Sequence, residues 1–256
     1  MGRADTRFGY SQARMQARHG SRPSAADWSH VAATADLGAL LQVLRGSPVG
    51  RWTGRLGNRP GVHDIERRLR EEWLRSVDEV AAWQPESWRE AVRWLRWIVY
   101  LPALQKLARG GRPPAWTRDD AVLGPIVARD PRERAEALRR TPLGPLSAGF
   151  TASPDTAGAW IRHWRQLWPP RGAARRPLES MVGEVGRLQS QLAALPATAR
   201  ADEVLGAFER RLNLVFRRNP LSPSAAVAHL GLLALDLRRI RGALATRALR
   251  EGVSTP

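Results

Sequence analysis

Apolar residues along the chain recur at helical spacing, and alternating strand patterns are nearly absent. The spacing predicts a first helix over residues 8–19, stopped by Gly20. Ser24 is placed to cap a second helix carrying Trp28 and Val31 on its apolar face. Asp36 is placed to cap a third, with Leu37, Leu40, Leu41 and Leu44 on one side and Gly46 and Pro48 at its end. Residues 50–61 hold four glycines and a proline, which predicts a loop. Residues 63–82 then predict a longer helix, with Ile65, Leu69, Trp73, Val77 and Val80 on one face.

From Ser87 onward, Ala91, Trp94, Leu95, Ile98 and Val99 predict a broad apolar face, with Arg89, Arg93, Arg96 and Tyr100 opposite. Pro102 should kink or restart this helix before Leu104 and Leu107. A linker follows at 110–114. Short helices are expected over 119–127, 131–140, 155–168 and 178–195, with an arginine-rich loop at 169–177. Two long ones, 201–218 and 224–250, close the chain. A loose recurrence runs through this order, in which a capped short helix or two leads to a longer one. Its units end near Arg109, Leu195 and Arg247. The expected fold is a single all-α domain over 1–256, with approximate repeat units 1–112, 113–196 and 197–256.

Composition narrows the chemistry. A chain of 256 residues that is 43% hydrophobic can bury a sizeable core. The absence of cysteine excludes disulfides, thiolate zinc sites and Cys nucleophiles. The formal charge is +17, and Lys106 is the lone lysine among 41 basic residues. The parts before and after the Trp116–Thr117 bond carry +8 and +9, so there is no basic tail. Such a spread-out field favours an acidic partner or an anionic surface and selects neither. No stretch approaches the roughly 18 apolar residues a membrane span needs, and the N-terminus is polar.

Motifs for catalysis are missing: no glycine-rich phosphate loop, nucleophile elbow or paired-histidine zinc motif occurs. His19, His30, His63, His163 and His229 are scattered. The acidic pairs have simpler explanations, Glu71 as an ion-pair partner of Arg75 and Asp119-Asp120 as a helix cap. Arginine clusters at 67–70, 171–176 and 238–241 suit phosphate contacts or a solvated face equally. No helix-turn-helix, RNA-recognition or zinc-finger signature supports nucleic acid.

Two stretches carry a resemblance. Phe8 followed by residues 10–18, with Tyr10, Ala13, Arg14 and Arg18, resembles the opening helix of the C subunit of archaeal and bacterial V/A-type ATPases. The eukaryotic V-ATPase has its counterpart in the d subunit. The region Leu37 to Leu44 resembles that family's next leucine-rich helix. Residues 89–93 and 101–109 resemble the helix that ends that family's first repeat. Residues 219–240, from Asn219-Pro220-Leu221 to Asp236-Leu237-Arg238-Arg239-Ile240, resemble its closing segment. The chain departs from the family at Tyr100, Ala103, Gly231-Leu232 and His229, and is shorter than typical members.

The resemblance implies an all-helical, funnel-like array of three similar repeats. It implies a non-catalytic central-stalk rotor protein without cofactor or metal, peripheral on the cytoplasmic face of the membrane. Its partners there would be the central-shaft subunits and the proteolipid ring, in ion (hydrogen ion) transport. Arg14, Arg18, Arg238, Arg239 and Arg241 are the candidate partner-interface residues. The competing reading is a basic helical nucleic-acid-binding or scaffold protein.

Overall fold

Side-chain caps start three of the helices, at Ser24, Asp36 and Asp155. In the computed structural model, which describes residues 3–130, 132–150, 155–170, 175–196 and 201–253, every regular element is helical. The all-α expectation holds. Two compact units form, unit 1 from residues 1–92 and 171–256 and unit 2 from 93–170. Their boundaries do not coincide with the repeat boundaries read from the sequence.

Unit 1 begins with α1 (Arg3–Gly20), α2 (Ala25–Ala33) and α3 (Leu37–Arg45). Ser24 and Asp27 form a reciprocal capping box at α2, and the Asp36 side chain accepts from Ala39 N at 2.7 Å to start α3. The loop expected at 50–61 contains one helical turn, α4 (Gly50–Thr53). Then come α5 (Val62–Trp83) and α6 (Glu86–Arg93). All five apolar residues expected on the α5 face are buried.

In unit 2, a 3-10 segment (Trp94–Tyr100) leads to α7 (Leu101–Ala108), whose first turn accommodates Pro102. Another 3-10 turn (Ala115–Arg118), α8 (Gly124–Val127), α9 (Arg134–Arg139), a third 3-10 segment (Gly144–Gly149) and α10 (Thr156–Gln166) complete it. The helix expected over 119–127 is helical only over Gly124–Val127, with a turn before it. Asp120 still caps it, accepting from Val122 N and Leu123 N at 2.9 and 3.0 Å. Back in unit 1, the chain ends with α11 (Arg175–Ala193), α12 (Asp202–Arg218) and α13 (Pro223–Val253).

The face expected after Ser87 is corrected by the 3-10 winding. With three residues per turn, side chains at i and i+3 eclipse, so Trp94, Trp97 and Tyr100 line up and are buried. Tyr100, expected on the polar side, is 3% exposed, while Ile98, expected inside, is 38% exposed. The assumed 3.6-residue period put both on the wrong face.

In unit 1, α13 packs against α5, α12, α3 and α1. Small residues let it approach closely: Ala225, Ala226 and Ala228 are fully buried. A Cβ on Gly231 would lie 2.9 Å from a methyl of Leu212, so glycine sets the α12–α13 approach. Leu221, in the turn between them, has φ of 56°, a strained value for a branched side chain. Its N–H is held by the Gln12 side chain of α1 at 3.2 Å.

One turn occurs in both units. After α3, the Ser47 hydroxyl donates to Leu44 O at 2.8 Å and accepts from Val49 N at 3.3 Å. After α9, the Thr141 hydroxyl donates to Leu138 O at 2.8 Å and accepts from Leu143 N at 3.1 Å. Pro48-Val49-Gly50 and Pro142-Leu143-Gly144 follow. Gly50 and Gly144 each press on a carbonyl, where an added Cβ would meet Arg45 O at 2.3 Å and Arg139 O at 2.8 Å. Val49 and Trp52 in one turn, and Leu143 and Leu146 in the other, are buried. A further helix starts at the same distance beyond each, at Val62 and Thr156. The turn therefore occurs once in each unit, at positions other than the ends of the three repeat units read from the sequence.

Candidate partner interface

The five candidate arginines belong to unit 1 and fall on two helices. On α1, Arg14 is exposed, its guanidinium 5.3 Å from the Trp83 ring centre and 5.8 Å from that of Tyr10. Arg18, one turn on, pairs with Glu79 at 2.6 Å and also lies over Trp83. Tyr10 is 61% exposed, so this end of α1 presents an aromatic ring among cations.

On α13, Arg238 is exposed and has no ion-pair partner among the described residues. Arg239 pairs with Glu209 at 2.6 Å and lies 5.4 Å over Trp28. Arg241 pairs with Glu66 of α5. These three line a concavity of about 780 Å³ together with Trp28, Glu66 and Arg247. Arg247 is structural. Its guanidinium donates to Thr34 O at 2.6 Å and Val31 O at 3.0 Å, satisfying carbonyls that the end of α2 leaves open. Burial, then the neighbouring Arg250, lowers its pKa.

The two groups therefore line different concavities, Arg18 a smaller one described below. A buried network sits between them. Arg22 forks onto both oxygens of Asp236, each at 2.8 Å, and reaches Glu209 at 2.9 Å. Glu209 in turn takes Arg239. Asp236 is fully buried. Burial raises its carboxyl above the ordinary value, against the pull of Arg22. Burial also opposes the charge on Arg22, but hydrogen bonds to Asp236 and Glu209 outweigh it and raise its pKa. Burial would raise Glu209 as well, yet the bonds from Arg22 and Arg239 hold it below its ordinary value.

Sequence reading missed Arg22, Glu209 and His229 as a constellation, and saw Asp236 only as part of a run. A signal was present. Asp236 interrupts the apolar run Leu232, Leu233, Leu235, Leu237 and Ile240, and an acid there needs a partner. The Glu71–Arg75 pair expected on α5 is also corrected: Arg75 pairs with Glu72 at 2.5 Å and Glu71 with Arg68 at 3.5 Å. Of the 171–176 arginine cluster, Arg171 lies outside the described residues, and Arg175 and Arg176 open α11.

Of the five candidates, Arg14 and Arg238 are exposed, whereas Arg18, Arg239 and Arg241 are held in ion pairs within the unit. Among the described residues, no group of three or more His, Asp or Glu is placed to hold a metal ion. Among them, too, no helix is long and apolar enough to cross a membrane. The chain matches no protein-family model, no curated protein and no solved structure.

Proposed function

We propose that this chain is a non-catalytic rotor subunit that couples the central shaft of a V/A-type rotary ATPase to its membrane proteolipid ring. The observation that carries the reading is the repeated turn, Ser47-Pro48-Val49-Gly50 and Thr141-Pro142-Leu143-Gly144, each closing a short helix before another begins. The family resembled is built from helical repeats, and the turn residues themselves lie outside those that carry the resemblance. A second point agrees. The opening and closing stretches that resemble the family are neighbours, tied by the Gln12–Leu221 hydrogen bond across 209 positions of sequence.

The physical task suits the chain. Torque transfer asks for broad, stiff contacts and for no reactive group, and guanidinium forks grip carboxylates with fixed geometry. Arg14 and Arg238 are the cations most available to an acidic shaft, since Arg18, Arg239 and Arg241 already hold Glu79, Glu209 and Glu66.

The test is a mild-detergent pull-down from native membranes through a C-terminal tag, read by mass spectrometry. Co-recovery of shaft and proteolipid subunits is expected. Recovery of nucleic acid, or of no ATPase subunit from intact complexes, would overturn the reading in favour of a basic helical binder.

A further inference from the structure

A cavity of about 60 Å³ lies within unit 1, lined from three sides. α13 contributes His229, Leu233 and Asp236; the end of α1 and the turn after it contribute Arg18, Ser21 and Arg22; α4 contributes Arg51 and Trp52. Ser21 and Arg51 are exposed and form a mouth, while His229, Trp52 and Asp236 are buried and form a floor.

Two features of this cavity are unexplained by the fold. Its floor residues carry polar atoms without partners: Nε1 of Trp52 and Nδ1 of His229, on side chains 4% and 5% exposed. A native protein seldom leaves such atoms unpaired. One of its three lining guanidiniums is also unmatched among the described residues, because Asp236 and Glu209 answer Arg22 and Glu79 answers Arg18, which leaves Arg51. Both oxygens of Asp236 are occupied by Arg22. Arg51 rests 4.9 Å over the Trp52 ring and has no ion pair among the described residues.

We infer that this cavity binds a small oxyanion of the phosphate or sulfate class, held by Arg51, the Trp52 indole N–H and the Nδ1 side of His229. A neutral imidazole protonated on Nδ1 donates there, as the indole does, and Arg51 supplies the charge. Water alone would answer the unpaired donors but not the unmatched charge of Arg51. The surroundings agree. Burial first, and then His19, Arg22 and Arg18, push His229 down to about 4, a field that a bound anion would relieve. The turn repeated in unit 2 has Pro145 and Leu146 where Arg51 and Trp52 stand, so the site belongs to unit 1 alone. This inference does not depend on the rotor reading.

The experiment follows the indole N–H resonances of the ¹⁵N-labelled full chain at neutral pH as inorganic phosphate is added, against chloride at equal ionic strength. The Trp52 signal is assigned by its loss in Trp52→Phe. That signal should move saturably with phosphate and not with chloride, while the other tryptophans stay in place. Arg51→Ala, a change at an exposed side chain, should weaken the phosphate response about tenfold or more, the loss of one charge-assisted hydrogen bond. A Trp52 signal that ignores phosphate, or that responds alike to chloride, would overturn the proposal. So would an unweakened response in a folded Arg51→Ala.

Discussion

The same hydroxyl-proline-glycine turn closes α3 in unit 1 and α9 in unit 2, yet the two units build different interiors beyond it. In unit 1 the turn leads to α5, 22 residues long, whose apolar face meets α13. In unit 2 it leads to α10, 11 residues long, and to a core of tryptophan and leucine. Trp94, Trp97, Trp116, Trp160, Trp164 and Trp168, six of the chain's eleven, fall in its 93–170 span. Rings pack along α10 and just past its end, Trp160–Trp164 tilted with centroids 5.5 Å apart and Trp164–Trp168 edge to face at 5.0 Å. Large rings give short helices the buried area that a long helix collects from many small residues. Unit 1, with length to spare, takes charge inside as the Arg22–Asp236–Glu209–Arg239 network. The comparison teaches that one local turn fits either solution, and that helix length and ring content choose between them.

The largest effect expected is in unit 1. Asp236→Ala leaves the Arg22 charge buried with Glu209 as its remaining partner. It should cost about 3–4 kcal/mol in urea denaturation. Hydrogen exchange should rise in α12 and α13 and stay unchanged in α10. Equal loosening of α10 would break the contrast between the units.

The shared turn comes next. Gly50→Ala, with its methyl driven to 2.3 Å from a carbonyl oxygen, should cost about 3 kcal/mol, and Gly144→Ala, at 2.8 Å, about 2. Reversal of that order in thermal denaturation would mean the two turns are not held alike.

Acid should weaken unit 1 through the buried His229 and the half-buried His19. Burial holds His229 at about 4 against an ordinary 6.5, and burial with Arg22 and Arg217 also lowers His19. The unfolded chain therefore takes up these protons first as pH falls. The stability they contribute is whole above about pH 6.5 and is lost progressively toward pH 4. For His229 the loss is about 2 kcal/mol at pH 5. Stability curves measured from pH 8 to 5 should flatten in His229→Phe, and an unchanged slope would remove His229 as the cause.

The smallest pair sharpens the comparison most. Ser47→Ala and Thr141→Ala each remove one hydroxyl that serves a carbonyl and an N–H, at about 1 kcal/mol apiece by urea denaturation. Matching losses would make the turns equivalent in energy as well as in geometry.

Much was legible in sequence alone because it is decided within a few residues. Ser24 and Asp36 cap helices where their spacing says they should, since a cap is a bond to the backbone three positions on. The α5 face followed from its period. The paired Ser47 and Thr141 turns were not read from the sequence, because what makes them alike is hydroxyl bonding to the backbone. Tertiary structure alone decided the rest. The choice of 3-10 winding over Trp94–Tyr100 turned Tyr100 inward and Ile98 outward, a rotation that local propensity does not dictate. Arg22 found Asp236 across 214 positions, while Glu71 and Arg75, four apart, chose other partners. The reason is physical: caps and periods depend on backbone geometry, whereas ion pairing and burial of charge depend on which surfaces lose their water.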